Sequence, residues 1–141
     1  MLALSIITLF LFTLLETTIT TIPLILIVVL IMAVVSKKSW IFSVAFAEGI
    51  FLDLLSFDVI GKTSVFFTFF LLIILLYDKK FEIRTVHFVL ISSLLGSLFY
   101  LILFNYQNSI MQTISSSVIA VILFLVVKRI VKLDSQSKLA I

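Results

Sequence analysis

Apolar residues fill this chain in long blocks, and short polar tracts divide them. The blocks predict six helices, roughly 2–18, 22–36, 39–56, 63–77, 85–104 and 112–131. Crossing the hydrocarbon of a bilayer takes about 20 apolar residues, fewer where the bilayer thins. The first two blocks are short, so they predict a tight hairpin or a thin, tilted pair. Read as one helix they would run about 53 Å, too long for a single crossing. The stretch "ETTITTIP" also interrupts them, and Pro23 suits a first helical turn, where its missing N–H costs nothing. The expected fold is all-α: one polytopic membrane bundle of about six transmembrane helices over residues 1–141. Five spans with a re-entrant segment is the alternative.

Composition points the same way. The chain is 63% hydrophobic and 12% charged, with a mean hydropathy of +1.41. A soluble domain carries roughly 25% charged residues, so this chain has too few charges to cover a wetted surface. The net charge of +3 does not indicate nucleic acid, because the basic residues lie in short tracts between apolar runs and not in an aromatic-interleaved patch. Cysteine is absent, which excludes disulfides and thiol chemistry. No Lys or Arg precedes the first apolar run and "LLETTITTIP" lacks a small-x-small cleavage pattern, so a retained first helix is expected.

Charge placement predicts orientation. In a six-span arrangement nine of the ten Lys and Arg fall on one side: Lys37 and Lys38, then Lys79, Lys80 and Arg84, then four from Lys128 to Lys138. Only Lys62 falls on the other. Short loops with this bias face the cytoplasm. Both termini are therefore expected inside, with Glu16, Asp58–Lys62 and "NYQNS" (105–109) outside.

Against this background two acids stand out in "AEGIFLDLLSFDVIGKTSVFF", residues 47–67. With Lys37 and Lys38 at the inner surface, Glu48 lies about 16 Å up its helix and Asp53 about 23 Å. Five residues turn a helix by about 500°, so the two carboxylates point some 140° apart and do not form a joined acid/base pair. Gly49, Asp53 and Ser56 share a face at spacings of four and three. Gly49 lets a second backbone approach, which sets Asp53 and Ser56 to hydrogen-bond across the gap. An acid at a helix centre costs about 2.5–3.5 kcal/mol on insertion scales, so Glu48 needs a protein or water partner, or a proton. Asp53 sits in a last turn, where the helix dipole disfavours an anion. The N–H groups of "FDVIGK", the conformational freedom of Gly61 and the cation of Lys62 offer a remedy. Two uses stay open for Asp53: pinning that turn, or a transport or proton role.

The segment "GIFLDLLSFDVIGKTSV" resembles the part of the rod shape-determining MreD family that reads roughly G-x-x-x-D-L-[LI]-S-x-x-x-x-G. Gly49, Asp53, Leu54, Leu55, Ser56 and Gly61 fall on that pattern, and Val59-Ile60 stands where the family often has a proline-type residue. A Pro23-led apolar run, a basic pair before the motif helix and a basic tail agree with the family layout. The resemblance implies a non-enzymatic subunit of the cell-elongation (rod) complex in the bacterial cytoplasmic membrane. It implies a role in cell shape and peptidoglycan synthesis, with no cofactor. The implied partners are an MreC-like bitopic protein and, through it, RodA with its transpeptidase and MreB filaments. The implied fold is similar to the six-helix substrate-binding subunits of energy-coupling-factor transporters.

Other features admit plainer readings. Ser92–Gly96 and Ser93–Ser97 are small-xxx-small pairs, suited to intramolecular packing or to a partner's helix. Ser115, Ser116, Ser117 and Ala120 make a similar patch. His87, the single histidine, reads as an interfacial anchor and has no second metal ligand at helical spacing. The fifteen Phe read as lipid contact and bundle filling, and Trp40, Tyr77, Tyr100 and Tyr106 as rings near the interface. The tail "KRIVKLDSQSK" suits a topology anchor, anionic lipid or a cytoplasmic partner.

Two rivals complete the sequence reading. A small-molecule, vitamin-type binding subunit of a transporter would dock its coupling partner through small residues on the first helix, where "LALSIITLFLF" offers only Ala3 and Ser5. An intramembrane aspartyl protease needs two acids that meet, and no Gly-x-Gly-Asp occurs.

Overall fold

The computed structural model describes residues 2–18, 22–36, 38–57, 59–105, 107 and 109–139, without the side chains of 2–5, 17, 109 and 133–139. Expectations for Lys37, Asp58 and Tyr106, and for the side chains of Ala3, Ser5 and Lys138, lie outside the described residues. Six helices and no strand are present among them: α1 Leu2–Thr18, α2 Leu24–Ser36, α3 Trp40–Leu55, α4 Lys62–Asp78, α5 Val86–Leu103 and α6 Ser109–Leu139. Two of these are long and apolar enough to cross a membrane, over Val86–Leu103 and Ile110–Lys132.

α2 is the axis of the bundle, packing against each of the other five helices. Its sequence, LILIVVLIMAVVS, is apolar all round, and ten of its 13 residues are buried. A helix without a polar face has no side to offer water, so it takes the centre. One core cluster gathers α2 with Leu9, Ala45, Phe67 and Leu101. A second gathers Ile27, Leu30 and Val34 with Ile74, Ile83, Val89, Ala120 and Phe124.

Much of the outside of the bundle is apolar, and several polar side chains lie inside. Phe69, Ile73, Leu95, Phe99, Ile122 and Leu125 are all exposed, while Thr13, Asp53, Thr63, Ser64, Ser93 and Ser97 are buried.

Helix ends follow local chemistry. Thr85 N-caps α5 in an extended conformation, its hydroxyl oxygen accepting from the Phe88 N–H at 3.3 Å. α3 and α5 each end at a residue in the left-handed region, Phe57 and Asn105, both with φ 54°. α6 runs to Leu139, beyond the expected end at 131, because neither Gly nor Pro follows Ser109 to stop it. Tyr100, expected near the interface, is buried, with its ring 5.6 Å from Phe66 and 4.5 Å from Phe104.

Candidate functional site

The acidic helix and the turn after it form the most polar buried group in the described structure. Asp53 is 1% exposed. Its Oδ2 accepts from the Gly61 N–H at 2.7 Å and the Thr63 N–H at 3.2 Å, and its Oδ1 lies 3.3 Å from the same Thr63 nitrogen. Gly61 N-caps α4 with φ 96°, a left-handed conformation that glycine adopts without a Cβ penalty. The first amides of a helix lack intrahelical partners and attract negative charge. Asp53, at the C-terminal end of α3, is thus satisfied by the N-terminal end of α4. The dipole that disfavours it on its own helix is answered by the dipole of the next.

Close packing fixes this geometry. A Cβ built on Gly49 would stand 2.5 Å from Ser64 Cα and 2.6 Å from Ser64 N, so α3 and α4 approach backbone to backbone there. Ser64 Oγ donates to the Phe46 carbonyl at 2.9 Å, joining the helices a turn below. Lys62 Nζ lies 4.1 Å from the centre of the Phe104 ring, a cation–π contact tying the turn to the end of α5.

Ser56 is exposed, and its N–H donates to the Leu52 carbonyl at 2.9 Å as the C-cap of α3. That bond keeps the helical spacing from Asp53, so the two residues differ in burial: Asp53 is covered by the start of α4, and Ser56, at the helix end, is not. Glu48 is separate from Asp53, as the spacing predicts, and half-buried against α1. The Thr13 hydroxyl bonds the Leu9 carbonyl within α1 at 2.8 Å and reaches Glu48 Oε2 at 3.1 Å.

One acid that the sequence reading placed only in an outer loop does the work of Asp53 a second time. Glu16 Oε2, near the end of α1, accepts from the Ile25 N–H at 2.8 Å, in the first turn of α2. Both hairpins, α1–α2 and α3–α4, are therefore closed by an acid from the end of the first helix clasping the amides that begin the second. The signal was available: an acid in a last apolar turn, with a helix start about nine residues on.

The small residues of α5 divide between two environments. Ser93 and Ser97 are buried and their hydroxyls donate back to Leu90 and Ser93 carbonyls, at 3.0 and 2.6 Å. Gly96 is covered by the Phe70 ring, which a Cβ would meet at 2.6 Å. Ser92 lines a groove of about 710 Å³ between α4 and α5. His87 lies at one end of that groove with Glu82 and Thr85. Ser116, Ser117 and Ala120 of α6 are buried, whereas Ser115 is exposed. Among the described residues no three His, Asp or Glu side chains gather as metal ligands would.

Compared with known proteins, the chain matches no family model, no curated protein and no solved structure.

Proposed function

We propose that this chain is a multi-pass protein of the bacterial cytoplasmic membrane, with both termini inside. In this reading it is a non-enzymatic scaffold of the cell-elongation machinery, of the MreD type that its motif resembles. Its partners are an MreC-like bitopic protein and, through it, RodA with its transpeptidase and MreB filaments. The supporting observation is the use made of Asp53. Both of its oxygens are taken up by the backbone amides of Gly61 and Thr63 at the start of α4. An acid so engaged holds a turn in place. Two helices apolar enough to span, and an exterior of exposed Phe, Leu and Ile, support the membrane setting.

The vitamin-type binding reading gains less support. The α4–α5 groove has a ligand-sized volume, but its lining is mostly apolar, with Glu82, Thr85 and His87 at one end and Ser92 further along.

The test is genetic and biochemical together. Cells carrying Asp53→Leu in place of the native chain should lose rod shape and recover less MreC-like protein with the tagged chain, and Asp53→Asn should retain both in part. Normal shape and full recovery with Asp53→Leu would remove the basis of this reading.

A further inference from the structure

The acids of the first three helices are not equally supplied with donors. Asp53 takes the Gly61 and Thr63 amides at the start of α4, and Glu16 takes the Ile25 amide at the start of α2. Glu48 meets neither helix start. Its Oε2 lies 3.1 Å from the Thr13 hydroxyl, and that hydroxyl also bonds the Leu9 carbonyl at 2.8 Å. A hydroxyl has one proton to give. Were Thr13 to turn it towards Glu48, the Thr13 and Leu9 oxygens would face each other at 2.8 Å with no proton between them. A hydroxyl donating to an ionised carboxylate also stands at about 2.5–2.7 Å, and this contact is longer. The proton between Glu48 and Thr13 therefore comes from Glu48.

The surroundings favour the same assignment. Glu48 is half-buried between α1 and α3, and one turn away Phe10 and Phe51 bring their rings to 5.7 Å. α1, α2 and α3 contain no Lys, Arg or His. Of the elements packed on α1 and α3, α2 carries no titratable residue, and the other acids of α1 and α3, Glu16 and Asp53, are held by amides. On α4, Lys62 lies over the Phe104 ring, and Tyr77 and Asp78 stand at the far end of the helix. A carboxyl in apolar surroundings, without a cation to answer its charge, keeps its proton.

Resting on the membrane setting proposed above, we infer that Glu48 is a proton-binding site near mid-membrane. Its neutral carboxyl donates to Thr13 Oγ and ties α1 to α3, and its uncovered part is open from the lipid side to apolar carbodiimides. That modification is a reaction of the protonated acid. The carboxyl proton passes to one carbodiimide nitrogen while a carboxyl oxygen bonds the central carbon. The acyl carbon then leaves that oxygen for the other nitrogen, giving a stable acylurea that retains every atom of both reactants.

The test uses the full-length chain in phosphatidylcholine vesicles at neutral pH. Infrared spectra should show the C=O stretch of a protonated carboxyl that moves with isotope-labelled glutamate and is lost in Glu48→Gln. Thr13→Val, which removes the acceptor, should shift that band, and Thr13→Ser should leave it in place. Dicyclohexylcarbodiimide, followed by peptide mass spectrometry, should modify Glu48 and spare Asp53. The label and the adduct both read the wild-type chain, so they decide the matter where a variant fails to fold. In a chain that resists alkaline carbonate extraction, any of four results overturns the assignment: no glutamate band, the same band in Glu48→Gln, an unmoved band in Thr13→Val, or an adduct no richer on Glu48 than on Asp53. Release of the chain by carbonate is a separate result that overturns the membrane setting itself.

Discussion

Replacing Asp53 with Leu should unfasten α4 from α3 and leave two buried amides without an acceptor. A hydrogen bond to a charged group contributes about 1.5–3 kcal/mol net. The Gly61 bond, at 2.7 Å, belongs at the upper end of that range, and the longer Thr63 bond at the lower. Removing an anion from the C-terminal end of α3 returns about 0.3–1 kcal/mol. The net loss is then about 3–4 kcal/mol. Asparagine keeps a neutral acceptor in the same place, so Asp53→Asn should lose about half as much.

The chain carries its own reporter. Its one tryptophan, Trp40, opens α3 and packs against the core cluster that includes Leu52 and Phe67. Unfolding in mild detergent, followed by Trp40 fluorescence, should give midpoints in the order wild type, Asn, Leu. The Leu variant should fall by about 5–15 °C at the size-scaled sensitivity of 2–4 °C per kcal/mol. Hydrogen exchange locates the loss: the Gly61 and Thr63 amides should exchange faster while the α5 amides keep their protection. A Leu variant that melts with the wild type, or that leaves those two amides equally protected, would refute the clasp.

The glycines should separate by what surrounds them. Gly49→Ala drives a methyl into the Ser64 backbone and should cost about 1–3 kcal/mol or more. Gly61→Ala meets no atom within 4 Å, so its cost of about 1–2 kcal/mol is left-handed strain, which Asn should reduce. Gly96→Ala meets the tip of the Phe70 ring at 2.6 Å and Leu26 Cδ2 at 3.3 Å, side-chain ends that can yield where backbone cannot, and gains helix propensity, so it should cost less than Gly49→Ala; a thermal-shift series with Gly96→Ala worst would contradict this order. Glu16→Leu should free the Ile25 amide at a cost of about 1–3 kcal/mol, read as faster exchange at Ile25, and Glu16→Gln should keep part of the protection.

How much of this was legible in the sequence depends on contrast. Asp53 is a lone acid in an apolar helix followed by Gly61, so the pairing of its carboxylate with loop amides could be reasoned out. α2 declares its central place by having no polar face at all. Glu16 has the same logic as Asp53, but the polar threonines after it made the region read as an ordinary loop. The α4–α5 groove was hidden for the opposite reason: its lining positions, Phe66, Phe70, Ile73 and Tyr77 among them, are no more apolar than most of their neighbours. A period cannot be seen where every residue has the same polarity. Ser56 keeps its helical spacing from Asp53, but as the C-cap of α3 it is exposed, which spacing alone does not reveal.

The two clasps explain how so short a helix can sit at the centre. α2 has 13 residues and runs about 20 Å, less than the ~30 Å hydrocarbon core of a bilayer. In the proposed membrane setting, one end of α2 must therefore begin near or within hydrocarbon, where no water meets its unpaired amides. Glu16 supplies the missing acceptor from the same hairpin, as Asp53 does for α4. Moving either acid away would leave amides stranded in an apolar medium, so each acid has a structural use that accounts for its presence. The acids give that end of the bundle a fixed shape.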